Sequence, residues 1–117
     1  MPTNPASLVH ALHAPRRREI LRLCWDEEQA AGAIHAALPD VTAGAISQHL
    51  RVLLDADLVQ VRRAGRHRFY RTKRSALGPL RQSLQAMWAD ALYRLQLEAE
   101  LEQARRGPMP AHASRRP

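Results

Sequence analysis

Apolar residues recur along this chain at two periods, helical up to residue 54 and again from residue 80, and alternating between residues 59 and 70. Ser7 can cap a first helix running to about Ala14, with Leu8, Ala11 and Leu12 on one face. Pro15 suits the first turn of a second helix, which ends near Trp25 and turns Ile20, Leu21, Leu23 and Cys24 inward. Asp26-Glu27-Glu28-Gln29 reads as a polar turn, and Ala30 to Leu38 as a short helix stopped by Pro39-Asp40. Thr42 is placed as the N-cap of a fourth helix, from about Ala43 to Leu54. In it Ile46, Leu50 and Leu53 fall at i, i+4 and i+7. Gly44, Gln48 and Arg51 share the opposite face with Asp55, which closes the helix together with Ala56 and Asp57.

Then the period changes. Val59-Gln60-Val61 and His67-Arg68-Phe69-Tyr70 alternate as strands, joined by Arg63-Ala64-Gly65-Arg66, where Gly65 is free to take a positive φ. Gly78-Pro79 opens a last helix extending to about Arg106, with an apolar stripe of Leu80, Leu84, Met87, Trp88, Ala91 and Leu95. Residues 1–6, with two prolines, read as a flexible tail, and residues 107–117 lack periodicity and read as disordered. The predicted fold class is mainly α with a small β-hairpin wing, in one domain over residues 7–106.

Charge sharpens this picture. The formal net charge is +7 and the basic residues are unevenly placed. Arg62, Arg63, Arg66, Arg68, Arg71, Lys73 and Arg74 occur in one stretch without an acid. Such a surface suits a polyanion. A short helix with a polar outer face, followed at once by a basic hairpin, has the layout of a helix for the DNA major groove and a wing for the backbone. The helix offers Thr42, Gly44, Ser47, Gln48 and Arg51 for base readout, with Gln48 suited to adenine and Arg51 to guanine or a phosphate. The hairpin offers Arg62, Arg63, Arg66 and Arg68 for phosphates or the adjacent minor groove. His49 lies between the two helix faces, which favours a structural hydrogen bond over a phosphate contact. Two other classes fit the same features: a sequence-indifferent nucleic-acid binder, and a protein-interaction module on a winged scaffold. An enzyme does not, because no nucleophile–base pair, phosphate loop or metal constellation is present.

The residues also resemble a known family. Ala11-Leu12-His13-Ala14-Pro15 with Arg16 to Leu21, Ile46-Ser47-Gln48-His49-Leu50-Arg51-Val52-Leu53, Ala56-Asp57-Leu58-Val59, and Gly65 to Tyr70 together look like the ArsR family of bacterial winged helix-turn-helix repressors. The resemblance covers about Leu8 to Arg71. It implies a homodimer paired through the first and last helices, where Leu8, Leu12, Leu84, Trp88, Ala91 and Leu95 are available. It implies repression by occluding a promoter, relieved by an effector or by thiol oxidation. Two recognition helices meeting successive major grooves, about 10 base pairs apart, make a near-palindromic site in double-stranded DNA the expectation. This chain departs from the family at three places. Asp57 stands where many relatives have glycine. Ala30-Ala31-Gly32-Ala33-Ile34-His35 lacks the Cys-x-Cys pair of the metal sensors. Asp90-Ala91-Leu92 lacks the histidine that other sensors carry on the last helix. DNA binding and dimerisation carry over, and those two metal sites do not.

Few other features suggest a sensor. His10 and His13, three residues apart on a helix, could face one way, but zinc needs three or four ligands, so no metal or other cofactor is expected. Cys24 lies on an apolar face and reads as a buried structural thiol. Trp25 and Trp88 suit core or interface positions, and equally the walls of a pocket for an unknown small-molecule effector. The single cysteine and the lack of a long apolar run point to a cytoplasmic protein without membrane contact.

Overall fold

The computed structural model describes residues 5–106. Residues 5–78 form one compact unit, and residues 79–106 belong to a second. The first unit contains α1 (Pro5–His13), α2 (Pro15–Leu23), β1 (Gln29–Ala30), α3 (Ala31–Ala37), α4 (Ala43–Asp55), β2 (Val59–Ala64), β3 (His67–Thr72) and a 3₁₀ turn at Arg74–Leu77. The second is a single helix, α5 (Leu80–Arg106). The fold is mainly helical with a small sheet, as the two periods predict. The expected tail at 107–117 lies outside the described residues.

The helices start where backbone chemistry permits. Pro5 occupies the first position of α1, where a fixed φ and a missing N–H suit a helix. The helix therefore begins two residues before the expected Ser7 cap, and residues 5 and 6 are helical rather than tail. Pro15 opens α2 in the same way. Thr42 caps α4 as expected, its hydroxyl accepting the Ala45 N–H at 3.1 Å. Ile46, Leu50 and Leu53 of α4 are buried with Ile20 and Leu21 of α2, Ile34 of α3 and Leu58. That core fixes which face of α4 remains in water.

The sheet has three strands rather than two, in the order β1-β3-β2, all antiparallel. The unexpected strand, β1, pairs Gln29 with Tyr70 and Ala30 with Phe69. The hairpin is longer than predicted and turns through Gly65 and Arg66 alone. Gly65 has φ 61° and Arg66 is not in the positive region, the pattern of a type II′ turn. Asp57 takes φ 62°, the left-handed conformation that the family's glycine would supply. Lys73 holds it there, donating to both Asp57 carboxylate oxygens at 2.9 Å. Thr72 N–H donates to Cys24 C=O at 2.9 Å, and Lys73 N–H to Leu58 C=O at 2.8 Å, so the wing's root is tied to the core.

Candidate nucleic-acid interface

Thr42, Gly44, Ser47, Gln48 and Arg51 are all exposed on α4, on the side away from Ile46, Leu50 and Leu53. The Thr42 hydroxyl already accepts one bond at the helix cap, which leaves its proton and one lone pair for a base. Gly44 is notable for what surrounds it. A Cβ added there would meet nothing within 4 Å, so no neighbour among the described residues requires a glycine.

On the wing, alternation sorts the arginines onto different faces. Val59, Tyr70 and Thr72 are buried and belong to the face that packs on the core. Arg63 and Arg68 continue that face outward and stand directly opposite each other in the ladder. Like charges in direct register repel and destabilise a hairpin. No acid pairs with Arg63, Arg66 or Arg68 among the described residues, and all three are exposed. An anion placed between them would relieve the repulsion.

Arg62 is different. It belongs to the outer face, beside its ladder partner Phe69, whose ring centroid lies 4.7 Å from the guanidinium carbon. Its Nε donates to both oxygens of Glu28, at 3.0 and 3.2 Å, and its Nη2 also donates to Oε1. The Glu28 carboxyl is held below its ordinary pKa, chiefly by that hydrogen bonding from Arg62. So the four wing arginines expected to act alike divide into three without an acid partner and one engaged by a carboxylate.

His49 makes the structural hydrogen bond expected of it, and its partner is Arg17, which the sequence did not single out. Arg17 is only 9% exposed. Its Nη1 lies 3.3 Å from His49 Nδ1, its Nε donates to Ala11 C=O at 2.7 Å, and its Nη2 to His10 C=O at 2.9 Å. A guanidinium only donates, so Nδ1 accepts and the imidazole proton sits on Nε2. The His49 pKa is lowered by burial, then by Arg17 and Arg16. Arg18 Nη1 donates to the next two carbonyls, Leu12 at 2.6 Å and His13 at 3.2 Å. Together the two arginines satisfy the end of α1. The available signal was that α1 ends in Ala14-Pro15 with no glycine to close it, so its last carbonyls need donors from elsewhere.

The sensor candidates are placed as follows. His10 and His13 are exposed, and among the described residues no group of three or more His, Cys, Asp or Glu could hold a metal ion. Cys24 is 0% exposed, its thiol 3.2 Å from Ile20 C=O and 3.4 Å from Thr72 Oγ1, and burial pushes its pKa up. Trp25 is buried in the core of the first unit. A cavity of about 360 Å³ lies between α1 and α4, bordered by Ser7, His10, Val52 and Asp55. Of the residues expected to pair two copies, Leu8 and Leu12 are half-buried on α1. On α5, Leu84 is buried, Trp88 half-buried, and Ala91 and Leu95 exposed. No described helix is long and apolar enough to cross a membrane.

Known proteins share this arrangement. Residues 11–62 match the helix-turn-helix domain family. The HTH-type transcriptional regulator Rv2034 of Mycobacterium tuberculosis is 37% identical over 89 residues, covering 76% of this chain and 82% of that protein. A solved structure of a possible transcriptional regulator for arsenical resistance is 37% identical with a TM-score of 0.59, covering 79% of this chain and 95% of that one. The homodimeric winged helix-turn-helix DNA-binding domain of a possible ArsR-family regulator from Mycobacterium bovis is 29% identical with a TM-score of 0.61, over 73% of this chain and 78% of that one. This chain belongs to the ArsR family of winged helix-turn-helix transcriptional regulators.

Proposed function

We propose that the protein is a homodimeric, sequence-specific repressor acting in the cytoplasm on a near-palindromic operator. The observation that carries this reading is the in-register pair Arg63 and Arg68 beside Arg66, three exposed wing cations with no acid partner among the described residues, together with the exposed polar face of α4. Arg63, Arg66 and Arg68 hold phosphates. Gln48 and Arg51 read base edges, Ser47 and Thr42 assist, and Gly44 lets the helix approach closely. Pairing of two copies uses Leu8 and Leu12 of α1 with Leu84, Trp88, Ala91 and Leu95 of α5. The homodimer of the Mycobacterium bovis relative supports such pairing. Two α4 helices then meet successive major grooves, about 10 base pairs apart. The effector, where one acts, uses neither the Cys-x-Cys nor the last-helix histidine site.

The test is selection of bound sequences from a random duplex pool by the purified protein, at physiological salt without added metal. A palindromic consensus is expected, and Gln48→Ala should relax it at particular base positions. Recovery of no consensus would refute the operator and leave a sequence-indifferent binder.

A further inference from the structure

Glu28 lies immediately before β1, and the pairing of Ala30 with Phe69 sets it beside the outer face of the wing. There it presents two oxygens to the Nε and Nη2 donors of Arg62, the same fork that a DNA phosphate would engage. Phe69 supports the guanidinium from one side. Arg71 also acts on Glu28, more weakly than Arg62 does. The neighbouring acid Glu27 is exposed and has no ion pair among the described residues.

We propose that Glu28 masks Arg62 from the DNA backbone, occupying the phosphate's place, so that the wing presents one effective cation fewer. This inference rests on the DNA-binding reading above. Glu28 acts through Arg62 and is a positioning residue. Phosphate contacts contribute to every duplex alike. Masking one therefore lowers affinity for all DNA, leaves discrimination to α4, and limits retention on non-operator sequence.

The experiment measures affinity of the full chain for a random-sequence duplex and for a selected duplex across a salt series. Glu28→Gln should bind both more tightly and steepen the salt dependence by about 0.9 for each protomer bound. Its advantage over the native protein should then shrink about threefold per protomer between 50 and 200 mM salt. Glu28→Gln combined with Arg62→Gln should return to the native slope, and Glu27→Gln, with the same change of charge, should leave the slope alone. An unmoved slope in Glu28→Gln, a slope still steep in the double variant, or an equal effect from Glu27→Gln overturns the masking. A lowered melting temperature with no change of slope would make the pair a purely structural brace and also overturn it. Absence of native binding to either duplex overturns the DNA reading as well, which separates the two failures.

Discussion

Asp57 occupies a backbone conformation that costs most L-residues about 1–2 kcal/mol, less for Asp and Asn. Lys73 offsets that strain through a pair that is partly exposed, worth at most about 1 kcal/mol. Asp57→Gly removes both terms and should change stability by less than about 0.5 kcal/mol. With Lys73→Met already in place only the strain remains, and Asp57→Gly should then stabilise by about 0.5–1 kcal/mol in urea denaturation. A neutral result in that background would show that Asp57 carries no strain. His49 gives a pH dependence of definite sign. Its folded pKa is depressed below the ordinary 6.5, so the unfolded chain binds the proton more readily. The stabilising contribution is complete above about pH 6.5 and is lost as pH falls through the folded value. Protonation would also end acceptance from Arg17 at 3.3 Å. The urea midpoint should therefore fall between about pH 7.5 and pH 5, and His49→Gln, which can still accept from Arg17, should flatten the change. Identical pH profiles for the two proteins would assign the titration to other groups.

Within α4, stability and the proposed close approach to DNA make opposite demands at Gly44. Glycine in a helix costs about 1 kcal/mol relative to alanine, and here no neighbour within 4 Å demands it. Gly44→Ala should raise stability by about 0.5–1 kcal/mol. Gly44→Leu should leave the fold intact, yet weaken operator binding by on the order of tenfold, because the helix could no longer sit close in the groove. Full affinity in Gly44→Leu would place that first turn away from the groove. Elements whose cause is local were legible in the sequence. The Thr42 cap and the buried Ile46, Leu50 and Leu53 follow from neighbours within one helix. The positive φ at Asp57 and Gly65 follows from turn chemistry. Features set by distant pairing were not. β1 is two residues long, too short for a periodic pattern, and it is paired with Tyr70 and Phe69. Arg17 stands in a run of three arginines with nothing local to set it apart, and it turns inward because the carbonyls ending α1 need donors. Glu28 in a polar turn and Arg62 in a basic hairpin meet only once β1 is in register.

Across the whole molecule, α5 is the element least explained by the chain itself. It is about 40 Å long. Leu92 and Leu95 are 59% and 62% exposed, and with Met87 they continue the apolar stripe that begins at Leu80 and Leu84. A contiguous apolar stripe left in water marks an interaction surface, and in a symmetric assembly the simplest cover is the same surface of a second copy. Glutamate at Leu92 and Leu95 tests this without threatening the helix, since it is nearly as good a helix former as leucine. The double variant Leu92→Glu/Leu95→Glu should keep its helical circular dichroism and sediment as a monomer, where the native chain should sediment as a dimer. Operator binding should fall by about 10²-fold or more, because the second half-site no longer benefits from being held by the first. Affinity for a single half-site should change little, since the residues proposed to touch DNA are all in the first unit. A variant that remains dimeric with full operator affinity would remove Leu92 and Leu95 from the interface and leave the pairing to α1.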